Sequence, residues 1–229
     1  MPVKAITAWV VLLGAAVVAA SSSCSMKAES GSGLASYRAY DRPAKLPQNL
    51  SAVRVNVSLS KQRAYVMEDE EMLMVMPVSV GKPDSPTPIG TFRISRKEHK
   101  HRDNARGYAY RGNQVRKYGI ENKPSGWSFR GAPLPYWCEF DPSYGFHTGW
   151  VRHSPCTTDG CIRMHENLAP KFFRMVTIGT PVNIAYAQPE DARWAYIPLP
   201  PDAGPLPDNP YPMYLGDGYF TQHKTPEFD

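Results

Sequence analysis

The chain has 229 residues, 42% of them hydrophobic, and a formal net charge of +5, which suits a soluble globular protein with one core, with or without long tails. The charge is uneven: residues 187–229 hold Arg193 and Lys224 against seven acids, whereas Arg93–Lys123 holds ten Lys/Arg against three acids. Such a basic excess either concentrates acidic ligands or is simply a solvated loop, and nucleic acid is set aside because the N-terminus marks the chain for export.

Residues 1–23 read as a signal peptide, with Lys4, an apolar run from Ala5 to Ala20, then Ser21-Ser22-Ser23-Cys24. The run, about 16 residues, falls short of the ~20 that a spanning helix needs. Cleavage after Ala20 releases a soluble protein; cleavage before Cys24 leaves a thiol for lipid attachment at a membrane surface. The second layout resembles a bacterial lipoprotein signal, although Ser21 stands where leucine is usual, and it is narrowly preferred. The expected location is the periplasm or cell envelope.

Residues 24–51, rich in Ser, Gly, Ala and Pro, read as a tether, with order beginning near Ala52. Val53, Val55, Val57 and Leu59 alternate with polar residues as in a half-buried strand. Ala64–Met67 and Met72–Val80 pair as a hairpin around an acidic turn, residues 81–90 form a loop, and Thr91–Ser95 resumes strand. Residues 96–135 are basic and punctuated by Gly and Pro, without an assignable element. Tyr136–Phe140 and Tyr144–His147 are short strands. Asn167 is expected to cap a helix in which Leu168, Phe172 and Met175 share a face and which Gly179 ends; Pro181–Ile184 is the last strand. A strand-dominated domain over 52–186 is therefore expected. It is followed by a Pro-rich acidic tail, residues 187–229, lying extended on the surface or unstructured.

Chemistry concentrates in Thr157-Thr158-Asp159-Gly160-Cys161-Ile162-Arg163-Met164. Four cysteines in an exported chain point first to pairing. With Cys24 lipidated, Cys138, Cys156 and Cys161 remain, an odd number. A Cys138–Cys156 disulfide, leaving Cys161 free, is the expected arrangement, and Cys156–Cys161 is its competitor. A nucleophilic cysteine needs a base, oxyanion donors and access. His147 is the candidate base, the amides of Gly160 and Cys161 the candidate donors, and Arg163 a candidate bidentate partner for a substrate carboxylate. His147, His153, Cys156, Cys161 and His165 also admit a zinc reading, but no Cys-x2-Cys or His-x3-His spacing supports a metal. His153 and His165 are placed at a pocket rim or on the surface, and His99 and His101 are assigned to the basic run. The cluster Trp127, Phe129, Tyr136, Trp137, Tyr144, Phe146 and Trp150 is assigned mostly to the core.

Five segments in order carry a resemblance: "VRVNVSLSKQRAYVM", "PVSVGKPDSPTPIGTFRI", "YGFHTG", "DGCIRM" and "IGTPVNI". Over residues 52–186 the chain resembles the L,D-transpeptidase catalytic domain, the YkuD-like family. The resemblance implies a mainly β fold, mixed sandwich and barrel-like, with one main helix and long loops. It implies acyl transfer on peptidoglycan stem peptides through a thioester, with Cys161 as nucleophile, His147 as base and acid, and the Thr148 carbonyl orienting the imidazole. Gly160 and Cys161 would supply oxyanion donors and Arg163 would bind the stem peptide or shape the pocket. No metal or organic cofactor is implied, and carbapenem-type inhibitors are expected to bind. Hydrolysis at the same site and a catalytically silent wall-binding module are the alternatives. Two departures stand out: Asp159 replaces a common histidine, and His147 is followed by Thr148-Gly149 in place of Gly-Thr. A carboxylate at 159 is expected to raise the thiol pKa.

Overall fold

The computed structural model describes residues 33–152, 156–198, 211–221 and 228. The expected signal segment, Cys24 and His153 lie outside the described residues. Alternating valines form β1 (Val53–Ser58), which pairs antiparallel with β2 (Arg63–Glu68) and, on its other side, parallel with β10 (Pro181–Ala185). The register sets Val55 beside Val66 and Val182, so one apolar face is continuous across three strands. β3 (Glu71–Ser79) completes the expected hairpin, and β4 (Gly90–Arg93) closes the edge beyond β10.

The basic region with no assignable element is an extended antiparallel arm. β5 (Arg96–Arg111) pairs with both β6 (Gln114–Gly119) and β7 (Ser128–Asp141). β8 (Tyr144–Thr148) and β9 (Ile162–Met164) run parallel to each other between β7 and β3. All described strands join one mixed ten-stranded sheet in the order β4-β10-β1-β2-β3-β9-β8-β7-β5-β6. The sheet rolls on itself: Phe92 of β4 meets Phe140 of β7 with ring centroids 5.4 Å apart, and the Ser95 amide donates to the Glu139 carbonyl at 2.8 Å. Val55, Val66, Met76, Phe146, Ile162 and Met164 thus bury into one core, together with Leu168, Phe172 and Met175 of the helical segment. The fold is mainly β, as the resemblance implies.

That segment differs in detail. The helix α2 is Ala169–Met175 (α1 lies upstream), with Leu168 at the N-cap and no side-chain capping bond. Asn167 instead donates its amide to the Arg38 and Tyr40 carbonyls at 3.0 and 2.7 Å. Gly179 sits in the following turn at φ +95, three residues past the C-cap Val176. Lys97, counted in the basic run, is half-buried against the C-terminal end of α2, where its ammonium donates to the Phe173 and Val176 carbonyls at 2.7 and 2.6 Å.

Both flanking segments depart from expectation where they are described. Within the expected tether, α1 (Gly33–Ala39) places Tyr37 at 3% exposure, and its hydroxyl donates to the Gly149 carbonyl. In the C-terminal region, α3 (Glu190–Arg193) and Trp194 cover Tyr65, Met67 and Val75, with the Tyr65 hydroxyl donating to Asp191 at 2.9 Å. α4 (Pro212–Leu215) stacks Tyr214 on Tyr108 at 5.1 Å, and Phe220 is 1% exposed. Asp217 pairs with Arg102 and Arg130, so part of the acidic tail neutralises part of the basic run. A few aromatic anchors dock segments whose average composition reads as polar.

Candidate active site

The parallel pair β8–β9 sets His147 opposite Arg163. One pleat repeat back, the same register brings Cys161 opposite Gly145, on the face that carries His147. Cys161 and His147 are therefore diagonal neighbours across two strands, and both line a cavity of about 540 Å³. Glycine at 145 leaves room for the Trp137 ring, which lies within 2.8 Å of where a Cβ would stand.

The turn into Cys161 is heavily specified. Gly160 has φ +105, and a Cβ there would collide with the Tyr144 ring, so no other residue fits. Thr87 donates its hydroxyl to the Gly160 carbonyl at 2.9 Å, and Thr158 donates to the Cys161 carbonyl at 2.6 Å. The Thr158 oxygen also accepts the Gly160 N–H at 3.2 Å. The Gly160 amide, one of the two expected oxyanion donors, is thus engaged within the turn in this structure.

His147 is buried, and its Nδ1–H donates to the Thr148 carbonyl at 2.9 Å. A carbonyl only accepts, so the neutral ring has its lone pair on Nε2. Burial pushes the imidazole down to about 4, while the Thr148 bond opposes that shift; the ring is neutral at pH 7. Burial raises the Cys161 thiol, opposed by a hydrogen bond from the Gly145 backbone. The resting S–H points to the Ser143 carbonyl at 4.0 Å. Arg163 is held below the usual guanidinium range by burial, and no ion pair satisfies it among the described residues. A neutral base, a thiol and a cation thus share one cavity, an arrangement suited to attack on a carbonyl next to a carboxylate.

Residues 52–184 match the family described as YkuD, the L,D-transpeptidase catalytic domain. The chain belongs to this family. Solved structures similar to it include an L,D-transpeptidase (Yku) from Stackebrandtia nassauensis (20% identity, 70% of this chain and 69% of that one, TM-score 0.46). Others are an L,D-transpeptidase from Mycobacterium smegmatis (22%, 58% of each chain, TM-score 0.45) and Mycobacterium tuberculosis L,D-transpeptidase 1 (24%, 58% of this chain and 61% of that one, TM-score 0.41). No curated protein sequence matches.

Within this L,D-transpeptidase domain the two sequence departures resolve differently. Asp159 is paired with Lys82 at 3.0 Å and with Arg106. Its hydrogen bond to Lys82 holds its carboxyl below the usual range. Its carboxylate thus links the turn before Cys161, the segment after β3 and the β5 arm. Thr148-Gly149 places the carbonyl that orients His147, while Gly149 packs against the stem of Arg163, within 2.9 Å of where a Cβ would stand.

The expected Cys138–Cys156 disulfide is absent: Cys138, Cys156 and Cys161 are free thiols. Cys138 is fully buried on the core face of β7 opposite Phe146, while Cys156 enters two residues before the Gly81–Thr158 bridge, with β8 and β9 intervening in the sheet. The fully buried Cys138 thiol is pushed up to about 12 by desolvation and is inert. His165 is not a rim residue. It is fully buried, donating from Nε2 to the Tyr37 carbonyl and accepting the Asn167 N–H at Nδ1, at 3.1 Å. Among the described residues no three His, Cys, Asp or Glu cluster as metal ligands.

Sequence reasoning missed the β5 wall of the cavity. His101 is buried, 2.6 Å from Glu98 through Nδ1, and stacks on Trp137 at 4.5 Å; Trp137 in turn stacks on His147 at 6.1 Å. Only the pairing of β5 with β7 and β7 with β8 brings these rings together.

Proposed function

We propose that this chain is a peptidoglycan L,D-transpeptidase working through Cys161. The observation that carries the reading is the neutral, carbonyl-held His147 diagonal to Cys161 in a cavity that Arg163 also lines. Rotation of the thiol from Ser143 toward Nε2 gives the imidazole its proton. The sulfur then attacks the amide after the stem-peptide diamino acid, and the Cys161 N–H receives the developing oxyanion. The imidazolium protonates the leaving D-alanine, a thioester remains, and the side-chain amine of a second stem takes the acyl group. Arg163 receives a stem-peptide carboxylate. The reaction requires only thiolate, imidazole and amide donors.

One similar solved structure is described as an L,D-transpeptidase complex with imipenem and another as an avibactam carbamoyl enzyme. Acylation of Cys161 by a carbapenem belongs to the same proposal, as do export, an envelope location and a lipid on Cys24. The test is muropeptide profiling of cell wall treated with wild type and with Cys161→Ala. New diamino-acid to diamino-acid cross-links from wild type alone support the reading. Shortened stems without cross-links make it a hydrolase, and products from both proteins refute the cysteine mechanism.

A further inference from the structure

The β5 wall carries a feature that the acyl-forming half of the reaction does not use. Between Arg102, paired with Pro133, and Gly107, paired with Gly131, the strand register shifts, and Asp103–Arg106 bulge over the cavity. The bulge is built in: a Cβ on Gly131 would collide with the Asp103 carbonyl. Asp103 accepts the Ala105 and Arg106 N–H groups through Oδ1 at 2.8 and 2.9 Å. Arg106 is tied to Asp159, and Arg102 donates to the Gly131 and Tyr214 carbonyls at 2.9 Å. Both ends of the bulge are therefore pinned.

Of the three acids on the cavity wall, Asp159 is neutralised by Lys82 and Arg106, and Glu139 by Arg96 at 2.8 Å. Asp103 has no ion pair among the described residues. Burial is the larger cause of the raised Cys161 thiol, and the Asp103 carboxylate adds to it. An unpaired carboxylate here therefore works against thiolate formation. Its favourable partner must be a cation that arrives later.

We propose that Asp103 receives the cationic side-chain amine of the acceptor stem peptide and so favours aminolysis of the thioester over hydrolysis. This rests on the acyl-transfer reading above. The acceptor enters as an ammonium, which a carboxylate at the cavity wall binds and an uncharged water does not exploit. The ammonium loses one proton to water, and its nitrogen attacks the thioester carbonyl. The C–N bond forms as the C–S bond breaks, and the second proton passes through His147 to the Cys161 sulfur. Arg163, on the opposite strand pair, is the complementary site for a carboxylate, so the cavity is polarised for a zwitterionic diamino acid.

The test uses the full chain and Asp103→Asn, which retains an Oδ1 acceptor for the two bulge amides. The donor is a stem tetrapeptide ending in diaminopimelate–D-alanine. The acceptors are the diaminopimelate side-chain ammonium of a second stem and hydroxylamine, which is uncharged at neutral pH. The variant is expected to take an imipenem adduct on Cys161 a few-fold faster, which also reports a folded site. Its KM for the ammonium acceptor rises about tenfold or more, its turnover with hydroxylamine does not fall, and hydrolysis gains share. An equal loss with both acceptors, or an ammonium KM within about twofold of wild type, overturns the proposal. No adduct at Cys161 in the wild type removes the acyl-transfer reading itself, and the Asp103 role with it.

Discussion

The rolled half of the sheet, β1, β2, β3 and β10, and the arm strands β5 and β6 have opposite surroundings. In the first, one face of each strand meets the core, and Val55, Val57, Val66 and Met76 are fully buried. In the arm, β6 has no fully buried residue, and β5 buries only His101, Gly107, Tyr108 and Ala109. Burial holds the first half together; backbone pairing and pinned contacts hold the second. His147 and Cys161 sit between them, on β8 and at the entry to β9, with one cavity wall from the core side and a charged wall from the arm.

The largest test of this contrast is mutational. Phe172→Ala, in the core beneath Phe146, is expected to cost about 3–5 kcal/mol, against under about 0.5 kcal/mol for Lys100→Ala on the exposed arm. Urea unfolding measures both, and comparable losses would break the distinction.

That same contrast explains what could be read in advance. Period-two alternation exists only where one face is buried, so β1 was legible by it, whereas β2 and β3, buried along most of both faces, were legible as apolar runs flanking an acidic turn. β5 has its polar residues on both faces and a bulge in the middle, and its sequence therefore resembles a loop. Cys161, His147 and Arg163 lie within seventeen residues on adjoining strands and were readable as a constellation. His101, Trp137 and Asp103 were not, since their meeting depends on long-range register. Only the i, i+2 spacing of His101 and Asp103, on one side of a strand, offered a signal. Tyr37, Trp194 and Phe220 are lone anchors in polar surroundings, invisible to composition.

The next effect concerns pH. Burial pushes His165 down to about 4, from an ordinary value of 6.5, so the unfolded state binds its proton first. The stability this neutral ring contributes is complete above about pH 6.5 and is lost as pH falls toward 4, on the order of 2–3 kcal/mol. His147 behaves alike. Unfolding midpoints between pH 7.5 and 4 should show this slope, and His165→Gln should flatten its share of it. An unaltered slope would mean that the α1 contact to His165 does not form in solution.

Arg106→Ala has a small expected effect on stability. The Arg106–Asp159 pair is solvent-exposed, so its loss should change unfolding free energy by less than about 1 kcal/mol. Acceptor turnover should nevertheless fall several-fold because the bulge loses its tie to the turn before Cys161. A large stability loss with intact turnover would place Arg106 in the scaffold instead.

Mass spectrometry after imipenem treatment, with peptide mapping, tests the central claim most directly. A single adduct on Cys161 is predicted, formed about a hundredfold or more slowly in His147→Gln. An adduct on Cys138 or Cys156, no adduct at all, or undiminished acylation without the imidazole would contradict it.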